Sequence, residues 1–146
     1  GVTGHVRTFD VGEHLDHSSR VQAVVDYFVP THFLQMDAHR LPGGQRHDAP
    51  DSPESELVGG AIQEHAERVA RANPVTYVRP DAPPFLIVHG EVDPLVPHHQ
   101  SELLVEALQD ARVEVSFYTV PGAGHGGFAD PQVPRLTHEF LARHLL

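Results

Sequence analysis

Residues 85–104 read FLIVHGEVDPLVPHHQSELL, and residues 113–127 read VEVSFYTVPGAGHGG. Phe85 to Val88 is a short unbroken apolar run that His89-Gly90 ends, the pattern of a strand covered on both faces. Ser101 to Ala111 is amphipathic: Leu104 and Leu108 stand four apart, with Leu103 and Ala107 beside them, which predicts a helix. Val113 to Val120 alternates and reads as a second strand, closed by the turn Pro121-Gly122-Ala123-Gly124. Strand, helix and strand in this order imply parallel strands. Right-handed crossovers then bring the strands' C-terminal ends to one edge, where α/β sheets hold their ligands.

The same alternation extends outward. Val21 to Phe28 (VQAVVDYF) is rich in β-branched and aromatic residues, reads as a strand buried on both faces, and ends at Pro30. Residues 31–51 read as loop, broken at Pro42-Gly43-Gly44. Asp51, with Glu54 three residues on, reads as a capping box opening a short helix to about Val58. A second helix is expected over Gln63 to Ala72, stopped by Asn73-Pro74, and a last one from about Pro134 to Leu146. Residues 1–20 are polar and read as loop. The expectation is one α/β domain over 1–146, with a short, mostly parallel sheet of about three strands flanked by helices.

Composition narrows the chemistry. The chain has 146 residues, 40% of them hydrophobic, and a net charge of −10. No apolar run approaches bilayer length and no signal pattern is visible, so a cytoplasmic location is expected, without membrane insertion. Gly1 in place of Met suggests trimmed ends. An acidic chain without a basic stripe argues against nucleic acid or anionic membrane as partner. Without Cys or Lys, thiolate and Schiff-base mechanisms are excluded. Histidine, 13 residues, is in excess, and it is both the commonest metal ligand and the usual general base.

Three segments leave strands toward the shared edge: Pro30-Thr31-His32, His89 to Pro94, and Gly124 to Gly127. An acid after one strand and a His after the next make the acid–base half of a Ser/His/Asp triad. The run HGEVDPLVPHHQSELL…VPGAGHGG resembles the C-terminal part of an α/β-hydrolase. It is most similar to the feruloyl and acetyl-xylan esterase branch and to prolyl-oligopeptidase-like enzymes. SSRVQAVVDYF, PDAPPFLIVHG and VSFYTV resemble the sixth, seventh and eighth strands of that fold. The resemblance implies Asp93 as the triad acid and His125 as the base.

One feature of that family is missing. None of Ser18, Ser19, Ser52, Ser55, Ser101 and Ser116 has Gly two positions away on both sides, so there is no G-x-S-x-G elbow. His125-Gly126-Gly127 mimics an oxyanion loop, but too little chain follows it for an elbow. The chain therefore reads as the half of a hydrolase that follows the nucleophile helix, and a serine mechanism cannot run on these residues alone.

His32 stands where the resembling esterases carry Asp. His32, Asp93 and His125 would form a two-His, one-carboxylate set for zinc, or for Mn or Fe, and its bound water could attack an ester or phosphoester. His98 and His99 are candidates for a fourth ligand or proton shuttle, and His39 and His47 lie in the loop expected to cover the site. His14-Leu15-Asp16-His17 has ligand spacing but belongs at the opposite sheet end. His89 is read as fixing the loop beneath Asp93, whereas His65, His138 and His144 are read as solvated.

Metal-dependent hydrolysis of a small-molecule ester is thus one reading. Two others stand beside it: a non-catalytic half needing an N-terminal partner, and a dimeric binding module. The edge of the Val21–Phe28 strand, without the neighbour it has in the resembling fold, is expected to pair with itself in a homodimer, or to do so through its flanking helices.

Overall fold

In the computed structural model, which describes residues 2–146, three parallel strands form one sheet. They are β1 (Val24–Tyr27), β2 (Phe85–Gly90) and β3 (Val115–Val120), in that spatial order. Phe85 is in register with Val24 on one side and Val115 on the other. Around the sheet lie α1 (Met36–His39), α2 (Pro53–Val58), α3 (Ala66–Ala72), α4 (His99–Asp110) and α5 (Gln132–Leu145). Among the described residues no helix is long and apolar enough to cross a membrane.

All six residues of β2 are buried, because strands flank it and helices cover both faces. Successive side chains point to opposite faces. Phe85 and Ile87 accordingly pack on Leu104 and Leu108 of α4, while Leu86 and Val88 pack with Val133 and Phe140 of α5. The expected strands and helices are present with ends shifted by a few residues. The strands expected from Val21 and from Val113 begin at Val24 and Val115, and α5 begins at Gln132, two residues earlier than Pro134.

Three expectations need correction. Residues 31–51 are not all loop: a 3₁₀ turn at Phe33–Gln35 runs into α1, and a second turn lies at Arg7–Phe9. Phe33 and Met36 join Val58, Ile62, Val69 and Val96 in a separate small core, which gives this stretch the apolar anchor a loop lacks. Ser52, not Asp51, caps α2: its Oγ accepts from the Ser55 N–H at 3.1 Å, Pro53 opens the helix, and Gly59 closes it at φ 76°. Finally, β1 is not buried on both faces. Among the described residues it pairs only with β2, and three of its four residues are half-buried. An apolar cavity of about 700 Å³ runs beside it, lined by Val24, Tyr27, Leu57, Tyr77, Phe85 and Leu104.

The buried residue of β1 is Asp26, 7% exposed. Burial pushes its carboxyl up from 3.8 to about 6, against a weaker hydrogen bond from the Val29 N–H at 3.3 Å. Below pH 3.8 both folded and unfolded states hold the proton. As pH rises to about 6 the unfolded chain releases it first, so stability falls, and above that the whole penalty is present. The penalty is on the order of 3 kcal/mol. Asp26→Asn, whose amide oxygen can still accept from Val29, is expected to raise unfolding stability at about pH 8 and leave it nearly unchanged at about pH 3.5. Urea titrations at the two pH values check this; an equal effect at both would contradict it.

Candidate active site

Asp93 and His125 meet at the C-terminal edge of the sheet. β2 ends at Gly90 and turns into the Asp93 loop; β3 ends at Val120 and turns into the His125 loop. The two turns are zipped together: the Glu91 N–H donates to Val120 O and the Val92 N–H to Ala123 O, both at 3.0 Å. The Gly122 N–H donates to the Glu91 carboxylate at 2.9 Å. A side chain at Gly90 would overlap the carbonyls of Ala123 and Gly124, so only glycine lets the turns approach this closely.

The Asp93 carboxylate is 2% exposed and fully employed. Oδ1 accepts the N–H groups of Leu95 and Val96 at 2.8 and 2.9 Å. Oδ2 accepts from His125 Nδ1 at 2.7 Å and from His89 Nε2 at 3.2 Å. His89 Nε2 also lies 3.0 Å from the Val96 carbonyl, which can only accept, so this nitrogen carries the hydrogen. Its Nδ1 then accepts from the Ser101 hydroxyl at 2.7 Å. Burial, the largest influence on this ring, lowers the His89 pKa, in keeping with a neutral imidazole. His89 therefore does what the sequence suggested: it fixes the loop under Asp93.

With Nδ1–H directed at Asp93, His125 presents the Nε2 lone pair, and this nitrogen has no partner among the described residues. The side chain is 30% exposed, open to an incoming group. An imidazole oriented by a buried carboxylate is equipped to take a proton from a hydroxyl and return it to a leaving group. Phe28 packs against the ring at a centroid distance of 4.3 Å, tilted by 53°. Phe28 stands at φ 50°, a left-handed conformation unusual for a bulky residue, yet its N–H still donates to Val88 O at 3.1 Å. Sequence reading did not single out Phe28, since nothing in VVDYFVP marks a reversed backbone at that position.

His32 does not join this pair. Among the described residues, the only trio of His and carboxylate ligand atoms within 4.8 Å of one another is His14, Asp16 and His17. Gln100 is the physical reason. Its side-chain oxygen accepts the N–H groups of Thr31 and His32 at 2.9 and 2.7 Å, and its carbonyl accepts the Thr31 hydroxyl. This draws the end of β1 onto the start of α4. Asp93, its lone pairs already engaged, also has little left to offer an ion.

The other candidate histidines make their contacts elsewhere. His98 sits 2.9 Å from the Thr119 hydroxyl and 3.3 Å from Glu102. His99 stacks on His39 at 3.4 Å, and burial first, then the charge of His39, lower its pKa. His47 pairs with Glu54 at 3.1 Å, both side chains buried. Burial works against the charged His47 ring, but the adjacent Glu54 carboxylate, with the charge of Asp37, outweighs it and raises the pKa. The segment carrying His47 docks on the acid loop through the Gln45 N–H, 2.8 Å from Pro94 O.

A parallel sheet with helices on both faces and a carboxylate–imidazole pair at its carboxyl edge defines the acid–base side of an α/β-hydrolase. The family model BD-FAE matches residues 1–108, and the chain belongs to that family. Esterase LipC of Mycobacterium tuberculosis is 39% identical over 77 residues, which are 52% of this chain and 19% of LipC. Esterase LipQ of the same organism is 47% identical over 55 residues, 37% of this chain and 13% of LipQ. Among solved structures, a truncated form of a carbohydrate esterase from gut microbiota superposes with a TM-score of 0.81 at 33% identity. That match covers 92% of this chain and 46% of the esterase. A bifunctional GH43-CE protein of Bacteroides eggerthii gives the same score and identity over 100% of this chain and 21% of its own. The chain thus spans less than half the length of each of these relatives.

Proposed function

We propose that this chain supplies the general base, His125, and its orienting acid, Asp93, to a serine-type hydrolase of carboxylic esters, acylated carbohydrates among them. The nucleophilic serine and the oxyanion donors come from residues outside the 146. The observation that carries this reading is the 2.7 Å contact between His125 Nδ1 and Asp93 Oδ2, which leaves Nε2 open. In the reaction, Nε2 takes the serine proton as Oγ attacks the acyl carbon. It then gives that proton to the departing alcohol, and repeats the exchange with water to release the acid. Asp93 stays ionised and steadies the imidazolium formed between these steps. Relatives named as esterases support the ester class, and acyl transfer of this kind asks nothing of a metal.

The free edge of β1 and the cavity beside it fit the same reading, as the place where the serine-bearing part of the sheet continues. Pairing of two copies of this chain there is the competing outcome, and light scattering separates the two.

The test compares the 146 residues alone with the same residues combined with the serine-bearing half of the family's fold. Hydrolysis of p-nitrophenyl acetate and labelling by a fluorophosphonate are the readouts. Turnover and labelling are expected only in the combination, and indifferent to chelator. Chelator-sensitive turnover by the 146 residues alone would replace this reading with a metal-activated water. An inactive, correctly folded combination would reduce the pair to a structural remnant.

A further inference from the structure

We propose that His14, Asp16 and His17 form a surface site for one divalent transition-metal ion of the zinc type, structural in role and separate from the Asp93–His125 pair. The three ligand atoms lie within 4.8 Å of one another, and all three residues are exposed. The turn that groups them is closed by the His17 N–H donating to His14 O at 3.0 Å. His14 adopts φ 62°, and the two imidazole centroids end 6.2 Å apart. His17 Nε2 already stands 3.7 Å from Asp16 Oδ2. Two ligands on one tetrahedral zinc are about 3.3 Å apart, given zinc–nitrogen bonds of about 2.0–2.1 Å. Exposed side chains cover the remaining distance by rotating, with no movement of a packed core.

The charge around the turn favours a cation. Glu13 immediately precedes it, and the arginines nearest in sequence are occupied: Arg7 pairs with Asp10 at 2.8 Å and Arg20 with Asp81 at 3.0 Å. Two imidazoles and one carboxylate select zinc, nickel or copper over magnesium or calcium, leaving water in the open position. Arg20 reaches Asp81, just ahead of β2, so this turn lies at the N-terminal edge of the sheet. An ion there cannot activate water for His125. It would instead clamp an irregular stretch that holds only a short 3₁₀ turn before β1.

The experiment uses untagged protein and zinc chloride, with magnesium chloride as control, in isothermal titration. One zinc per chain is expected, with no magnesium binding, and loss of the zinc in both His14→Ala and His17→Ala. His98→Ala and His99→Ala should keep it. Zinc should also slow trypsin cleavage after Arg20 in the wild type and not in His14→Ala. Circular dichroism confirms that these exposed substitutions leave the fold intact. Absence of zinc binding, or zinc retained by the His14 and His17 variants, overturns the site. Ester hydrolysis by the combined enzyme is unaffected by any of these changes, so failure here leaves the proposed function standing.

Discussion

With Asp93 as the proposed orienting acid, Asp93→Asn is expected to lower ester hydrolysis by the combined enzyme about 10⁴-fold, the scale seen when a triad acid loses its charge but keeps its shape. The geometry gives the reason. Asn can still accept the Leu95 and Val96 N–H groups through Oδ1, so the loop keeps its turn. Its NH₂ then faces His125 Nδ1 and His89 Nε2, both of which donate to Asp93 in the native site. His125 is expected to relieve the clash by moving its hydrogen to Nε2, which removes the lone pair proposed to take the serine proton. His125→Ala removes the base altogether and should match or exceed the loss. Both are measured as kcat/KM on an aryl acetate, with thermal unfolding as the control for folding. Activity within about tenfold of wild type in Asp93→Asn, a loss of only about 1.4 kcal/mol of transition-state stabilisation, would show that the pair is not the acid–base machinery.

The parts of this molecule that were legible in the sequence are those where one side-chain pattern serves one purpose. FLIVHG is unbroken because β2 is enclosed on every side, and Leu104 and Leu108 repeat every four residues because α4 covers one face of it. The meeting of Asp93 and His125 was legible for a similar reason, as each stands in the loop that follows a strand whose direction the crossovers fix. What failed to show depends on contacts that a local side-chain pattern does not record. His32 looks like a ligand in PTH, yet a glutamine 68 residues away holds its backbone against α4. Asp51 and Ser52 are both good caps, and only the Ser55 contact tells them apart. Residues 33–39 carry no clear period, because the small core they complete is assembled from α2, α3 and Val96. Burial of β1 was overestimated because an apolar run does not say how many strands stand beside it, and among the described residues β1 pairs with β2 alone.

The second large effect is expected at Gly90, which touches no reacting group. A methyl group there collides with the carbonyl oxygens of Ala123 and Gly124, and with the Ala123 carbonyl carbon at 2.8 Å. These are backbone atoms, fixed by the Glu91–Val120 and Val92–Ala123 hydrogen bonds, so no side chain can swing aside. Gly90→Ala must part the two turns, at a cost of about 3 kcal/mol or more, the upper range for an overpacked interior. Since Gly90 is in register with Val120, the displacement passes straight to the loop carrying His125. The 2.7 Å contact with Asp93 lengthens, and activity should fall at least about 100-fold, as misplacement by about 1 Å commonly costs an active site. Gly122→Ala is the comparison: it lies in the same loop with open space around it but at φ 64°, so it carries a conformational penalty and no collision. Urea unfolding and kcat/KM measured on both variants separate the effects. Gly90→Ala should be the more damaging on both measures, and equal behaviour would mean that close approach of the turns is not what brings acid and base together.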